Sequence, residues 1–253
     1  MSVSAGEQLI YGVHAVKAAL KYDPGNIVEA WVEQHRHDRR IQPLVAHMEG
    51  LPLRLHRVPR RELDRLAEGE VHQGIIARYR GQPILGEADL QGRLDELREE
   101  PFLLVLDQIQ DPHNLGACLR IADAAGMHGV IAPRDRAVGL TPTVHKVASG
   151  AAQSVPFFQV TNLARTLRSL KDRGVWLAGA AGEAERSVFE ANLAGPLAIA
   201  MGAEDTGLRR LTRELCDFLV RIPMHGTVDS LNASVATGVI AFEALRQRNI
   251  CRT

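Results

Sequence analysis

Ser230, Asn232 and Ser234 alternate along SLNAS, where an apolar strand-like run, FLVRIPM, gives way to an amphipathic stretch starting at Ala233. Ser and Asn are poor in helix interiors and good where a loop enters a helix. The trio therefore marks a loop-to-helix junction behind a buried strand. In open parallel sheets, ligands bind beyond the carboxyl ends of the strands. Two further junctions of this kind occur, LVLDQIQDPHNLGACLR (Leu104–Arg120) and AIAMGAEDTGL (Ala198–Leu208). Three polar strand-to-helix junctions point to one composite site that gathers hydroxyl, amide, carboxylate and guanidinium groups.

Each junction has a plain structural reading beside the chemical one. Asp111-Pro112 suits a helix start, with Asp111 as cap and Pro112 in the first turn. That explains Asn114 and Arg120 less well. Arg120 lies six residues beyond Asn114, about 9 Å along a helix axis, and helical side chains lean toward the N-terminus. Asn114 and Arg120 can then converge at the helix mouth, a favourable place for anions. Gly202 ends a strand and is either a turn glycine or a point of close backbone approach to a ligand. Glu204 either orients a neighbour or belongs to the site. Ile222, Met224 and Leu231 read as core residues, and His225 as a loop histidine.

Other chemistries leave no trace. His14, His72, His113 and His145 stand singly, without carboxylate or cysteine partners at metal-ligand spacing, so no metal is expected. No GxGxxG follows the first strand of the second half, and no GxxxxGK[ST] occurs. The three cysteines, Cys118, Cys216 and Cys251, form no CxxC pair, so neither a disulfide framework nor a zinc site is suggested.

The elements that must hold these groups follow from the apolar pattern. FLLVLD, GVIAP, PFFQV, VWLAGA, PLAIAMG and FLVRIPM are short, nearly continuous apolar runs. Runs without alternation are strands covered on both faces, hence a parallel sheet between helices. Helices are expected at Leu115–Ala125, Pro142–Ala152, Leu163–Arg173, Gly207–Glu214 and Ala233–Arg248. Residues 7–80 mix shorter pieces: a helix at Tyr11–Lys21, strands at Ile27–Val32 and Gly74–Arg80, and a short helix at Glu62–Ala67. Residues 81–100, rich in Gly, Pro and charge, read as a linker whose end can form a short helix.

Composition bounds the rest. The chain has 253 residues, 45% of them apolar, enough for one large or two modest domains. No apolar run approaches the roughly 20 residues of a membrane span, and MSVSAGEQLIYG has no secretory pattern. A cytoplasmic protein without membrane contact is expected. The charges balance at 30 basic and 30 acidic residues, but locally they do not. Between Gln34 and Arg61 stand Arg36, Arg39, Arg40, Arg54, Arg57, Arg60 and Arg61 against only Asp38 and Glu49. This stretch is either a solvated surface or a phosphate-contacting face.

DxxxDPxNxGxxxR, MGxExxGL and IPMxGxxxSLNxSVA, in this order, resemble the three motifs of the SpoU (TrmH) methyltransferases of the SPOUT superfamily. The resemblance covers roughly residues 101–250. IYGVHAVKAAL and VHQGIIARY are similar to the RNA-binding N-terminal domain of the subfamily that methylates a guanosine ribose of 23S rRNA. The resemblance implies an α/β protein of two domains. Residues 1–80 would form a small L30e-like RNA substrate-binding domain, residues 81–100 a linker, and residues 101–253 a parallel-sheet SPOUT catalytic domain with a deep trefoil knot. It implies S-adenosyl-L-methionine as cofactor, held by backbone groups of Gly202, Ile222 and Leu231. It also implies Asn114, Arg120, Glu204, Ser230 and Asn232 as active-site residues, and a homodimer built by the catalytic domain.

The implied reaction moves a methyl group from a sulfonium to the 2′-oxygen of a guanosine in 23S rRNA or a large-subunit precursor. The family account assigns hydroxyl activation to the matching arginine. Arginine resists deprotonation, so Arg120 is read as a fixed positive charge that stabilises developing alkoxide; the final proton acceptor stays open. A tRNA ribose methyltransferase and a non-catalytic RNA-binding assembly factor of the same fold stand as alternatives.

Overall fold

All six apolar runs of the second half become strands of one sheet. A computed structural model describes residues 7–34, 38–69, 71–80 and 85–251. Arg36, with His35 and His37, lies outside the described residues, as do residues 81–84 at the start of the expected linker. The chain divides into two units, residues 1–83 with 140–150, and residues 84–139 with 151–253.

The first unit is a four-stranded mixed sheet. Its elements are β1 (Glu7–Tyr11), α1 (Gly12–Tyr22), β2 (Ile27–Glu33), α2 (Gln42–Glu49), β3 (Arg54–Val58), α3 (Arg60–Ala67) and β4 (Ile75–Arg80), in the strand order β1-β4-β2-β3. Val16, Leu20, Leu44 and Met48 from α1 and α2 meet Ala30, Val32, Ile75 and Tyr79 on one face. Leu63 and Ala67 from α3 meet Trp31 and Ile76 on the other. The motif pieces YGVH and VHQG come together here. Gln73 accepts from the amide of Val13 at 3.2 Å, and a Cβ on Gly12 would lie 3.2 Å from the same oxygen. Gly12 also has φ +83°, a conformation only glycine adopts cheaply.

The chain continues with α4 (Glu87–Glu96), β5 (Phe102–Asp107), α5 (Pro112–Ala124), β6 (Gly129–Pro133), α6 (Pro142–Ala148), α7 (Ala151–Ser154), β7 (Phe157–Val160), α8 (Leu163–Asp172), β8 (Trp176–Ala180), β9 (Leu197–Gly202), α9 (Arg210–Leu215), β10 (Phe218–Val220) and α10 (Ala233–Cys251); α6 belongs to the first unit and the others form the second. The strand order is β10-β8-β9-β5-β6-β7, and every pairing is parallel. Leucines of α4 and α8 pack with Leu103, Val105, Ile131, Leu177 and Ala198 in one core, while α5 packs with α7 and α10.

One expectation changes in detail. The helix expected at Pro142–Ala152 is two, because Ser149 (φ 50°) and Gly150 (φ 97°) turn left-handed between α6 and α7. Between β8 and β9 no helix forms; residues 181–196 run as turns, tied to Arg221 by the amide of Val188 at 2.8 Å.

Candidate active site

Strands β9 and β5 end side by side, with Asp107 opposite Gly202. After Asp107 the chain turns sharply, and Gln108 adopts φ 68°, a strained value for a residue with a side chain. Asp111 then caps α5, accepting from the amide of His113 at 3.0 Å with Pro112 in the first turn. This places Asn114 in the first turn of α5, buried.

After Gly202 the loop folds back on itself. The amide of Gly207 donates to the carbonyl of Ala203 at 2.9 Å. A Cβ on Gly202 would lie 2.0 Å from the carbonyl carbon of Gly207 and 2.3 Å from the amide nitrogen of Leu208. The missing side chain of Gly202 is thus explained by the protein's own backbone, the turn reading of this residue. Asp107, fully buried, holds the far side of the loop. It accepts from the amide of Arg209 at 3.0 Å and from its Nε at 2.6 Å.

The fold-back aims Glu204 at the entrance to α10. Asn232 Nδ2 donates to Asn114 Oδ1 at 2.9 Å and to Glu204 Oε1 at 2.5 Å. The amide of Ala233 donates to the same glutamate oxygen at 3.3 Å. Asn232 Oδ1 meanwhile accepts from the amide of Ser234 at 3.0 Å, capping the start of α10. One asparagine joins all three junctions.

Beside this trio, a cleft opens at the carboxyl ends of β8, β9 and β10. Gly202, Glu204, Ile222, Ser230 and Leu231 line it, with Ala180, Gly182, Met201 and Met224. Ile222 and Leu231 make no backbone hydrogen bond to protein among the described residues, which leaves donors and acceptors available to a ligand. Arg120 belongs to neither group. It is exposed and outside the cleft lining, and its side chain makes no hydrogen bond or ion pair among the described residues.

No thiol is poised to react here. Burial pushes Cys118 up to about 11 and Cys216 up to about 12, so neither is a thiolate near neutral pH. Among the described residues, no group of three or more His, Cys, Asp or Glu gathers as a metal would require.

Residues 101–242 match the model of the SpoU rRNA Methylase family. The chain belongs to that family. Residues 9–84 match the model for RNA 2'-O ribose methyltransferase substrate binding. The 23S rRNA (guanosine-2'-O-)-methyltransferase RlmB of Shewanella oneidensis is 55% identical over 242 residues, covering 96% of this chain and 98% of that one. The protein of the same name from Yersinia pestis is 54% identical over 243 residues, with 96% and 98% covered. Among solved structures, the SpoU methyltransferase AviRb from Streptomyces viridochromogenes in complex with AdoMet superposes with a TM-score of 0.66 at 26% identity, covering 96% of this chain and 91% of that one. A crystal structure of an RNA 2'-O ribose methyltransferase is 33% identical with a TM-score of 0.60, covering 96% and 90%.

Two parts of this SpoU site escape sequence reasoning. The cleft wall at Ala180 and Gly182 carries no polar signal. The Asp107–Arg209 pair joins residues 102 positions apart; the acid at the head of the first motif was its only sign.

Proposed function

We propose that this chain transfers a methyl group from S-adenosylmethionine to the 2′-oxygen of a guanosine ribose in 23S rRNA. The observation that carries the reading is the joining of Asn114, Glu204 and Asn232 at the rim of a strand-end cleft, in a SpoU chain that matches its relatives over nearly its whole length.

The cleft suits the cofactor. Apolar Met201, Ile222, Met224 and Leu231 offer surface for an adenine, and the free backbone groups of Ile222 and Leu231 can read its edges. Gly202 brings the strand end to the same wall. Bound there, S-adenosylmethionine supplies an electrophilic methyl on a good leaving group. What the chain itself must provide is then alignment and charge. In-line placement of the ribose oxygen is a large part of such a barrier. Asn232, fixed from both sides, holds the loop that carries Ser230 along the cleft. We assign Arg120 the stabilisation of negative charge developing on the ribose oxygen. Its permanent charge and exposure suit that role.

The order of the sheet, with β10 at one edge beside β8 and α10 packed back on α5, is consistent with the family's deep trefoil knot. We read the first unit as the part that selects RNA; Arg54, Arg60 and Arg61 are exposed there without ion-pair partners among the described residues, while Arg57 pairs with Glu49 at 2.7 Å. We also propose a homodimer. It would cover apolar side chains that α10 leaves exposed, among them Val235 and Phe242, and sedimentation should show a dimer at assay concentrations. A cytoplasmic site of action accords with helices none of which, among the described residues, is long and apolar enough to cross a membrane.

The deciding experiment maps ribose methylation on large-subunit rRNA incubated with and without the protein. One new 2′-O-methylguanosine is expected. Methylation confined to tRNA would replace the substrate, and no methylation of any RNA, including large-subunit precursors, would overturn the activity.

A further inference from the structure

A second cleft lies on the same edge of the catalytic sheet, at the carboxyl ends of β6 and β7. Its position relative to the first follows from the strand register. Asp107 pairs with Gly202, and Pro133 pairs with Val160. Between those pairs, β5 and β6 run in register from Leu103 with Gly129 to Val105 with Ile131, which sets Asp107 level with Pro133. Gly202 of the first cleft and Pro133 of the second are thus two strand spacings apart, roughly 10 Å. A polynucleotide whose ribose sits at the first cleft must continue along this edge or away from it.

The second cleft carries two cations. Arg136 and Arg209 line it, with Thr161, Asn162 and Ala164. Arg136 has no hydrogen-bond or ion-pair partner among the described residues. Arg209 is held by the buried carboxylate of Asp107 through its Nε and its backbone amide. That grip leaves its terminal guanidinium nitrogens without a partner among the described residues, on a side chain 40% exposed. A guanidinium positioned in this way presents a ready fork to a phosphate. Asp135 also lines the cleft and opposes anions there. The amide of Thr161 is already taken by Glu87 Oε1 at 2.7 Å. Binding therefore falls to the two arginines and not to the start of α8.

We propose that this cleft is a subsite for backbone phosphodiester groups of the RNA beside the methyl-accepting nucleotide, held by Arg136 and Arg209. The inference rests on the RNA-methyltransferase reading given above and adds where the catalytic unit grips its substrate. It also gives the buried Asp107 a second role. The carboxylate that closes the Gly202–Arg209 loop sets the guanidinium facing the RNA, so the cofactor wall and the phosphate grip share one anchor.

The test uses the full chain, a 23S rRNA fragment and two variants, Arg136→Glu and Ala164→Glu, each placing a carboxylate in the cleft. Affinity for the fragment is measured against salt, and affinity for S-adenosylhomocysteine by calorimetry. One lost phosphate contact flattens the slope of log affinity against log salt by about 0.7 for single-stranded RNA. Across a tenfold rise in salt, affinity should then fall about fivefold less than in the parent protein. S-Adenosylhomocysteine affinity should be unchanged, which also reports that the variants fold. Parental RNA affinity and slope in both variants would overturn the subsite. If the parent protein binds the fragment but methylates no RNA, the activity falls while the slopes still decide the subsite. If it methylates and the slopes do not move, only the subsite falls.

Discussion

The side-chain amide of Asn232 donates to the side-chain oxygen of Asn114, 118 positions earlier in the chain, at 2.9 Å. The same nitrogen donates to Glu204, so the loop before α10, the first turn of α5 and the loop after β9 are fixed to one another by a single residue. Asn232→Ala removes both donations and the cap on α10. Leaving such polar groups without partners costs about 1–3 kcal/mol, and the loop they hold lines the cofactor cleft. S-Adenosylhomocysteine binding by calorimetry and single-turnover methylation should both weaken, each about ten- to hundredfold. Asn232→Asp should be worse than Ala, since it sets a second carboxylate against Glu204.

Arg120 should behave differently. Its side chain makes no hydrogen bond to the trio and lies outside the cleft lining, so its assigned role is electrostatic and confined to the transfer step. Arg120→Ala should leave S-adenosylhomocysteine affinity within twofold and lower the single-turnover rate by about 10²–10³, the usual effect of losing one preorganised charge-stabilising group. Arg120→Lys, which keeps the charge but loses the planar fork, should recover part of that rate. A near-parental rate in the alanine variant would remove the role.

Gly202→Ala tests the loop closure. Its new methyl would meet the backbone of Gly207 and Leu208 at 2.0–2.3 Å, closer than any side chain tolerates, and backbone has little room to yield. Overpacking of this kind costs about 1–3 kcal/mol or more. Because the fold-back carries Glu204, cofactor binding should fail together with stability, as read by urea unfolding and calorimetry on the same preparation. Gly226→Ala serves as control, since nothing lies within 4 Å of a Cβ there. It should change neither.

The catalytic sheet was legible in the sequence because its strands are buried on both faces and so read as unbroken apolar runs; all six runs became strands. The first unit was less so. β3 is RLHRV, an edge strand too polar to announce itself, and neither α2, with Pro43 in its first turn, nor β1 was resolved from the mixed pattern. At the site, Asn114 and Asn232 were visible as polar residues at loop-to-helix junctions, and Glu204 through the motif resemblance. Their mutual bonds were not, because nothing local relates residues so far apart. Gly202 was ambiguous for a physical reason. A glycine needed by a ligand and one needed by the chain's own turn look alike until the neighbour that fills the space is seen.

His145 offers a test independent of catalysis. It lies on α6, which packs on α1 of the first unit, and only 2% of it is exposed. Neither ring nitrogen has a hydrogen-bond partner among the described residues. Its ring sits edge-on to Tyr79 at 6.0 Å, and the Tyr79 hydroxyl donates to Asp23 at 2.5 Å. Burial holds His145 below the usual histidine value, opposed in part by the negative charge of Asp23. Burial and the same carboxylate raise Tyr79 well above its usual range, so it stays a neutral donor. The sign follows. Above the unfolded histidine value of about 6.5, both states are neutral at this residue and it adds no pH dependence. As pH falls below about 6.5, the unfolded chain binds a proton that the folded unit refuses, and stability is lost at up to about 1.4 kcal/mol per pH unit. The loss stops only below the lowered folded value. Urea unfolding between pH 7.5 and 5 should show this decline, and His145→Phe, which keeps a ring against Tyr79 and cannot be protonated, should flatten it. A decline equally steep in the variant would place the acid sensitivity in other groups.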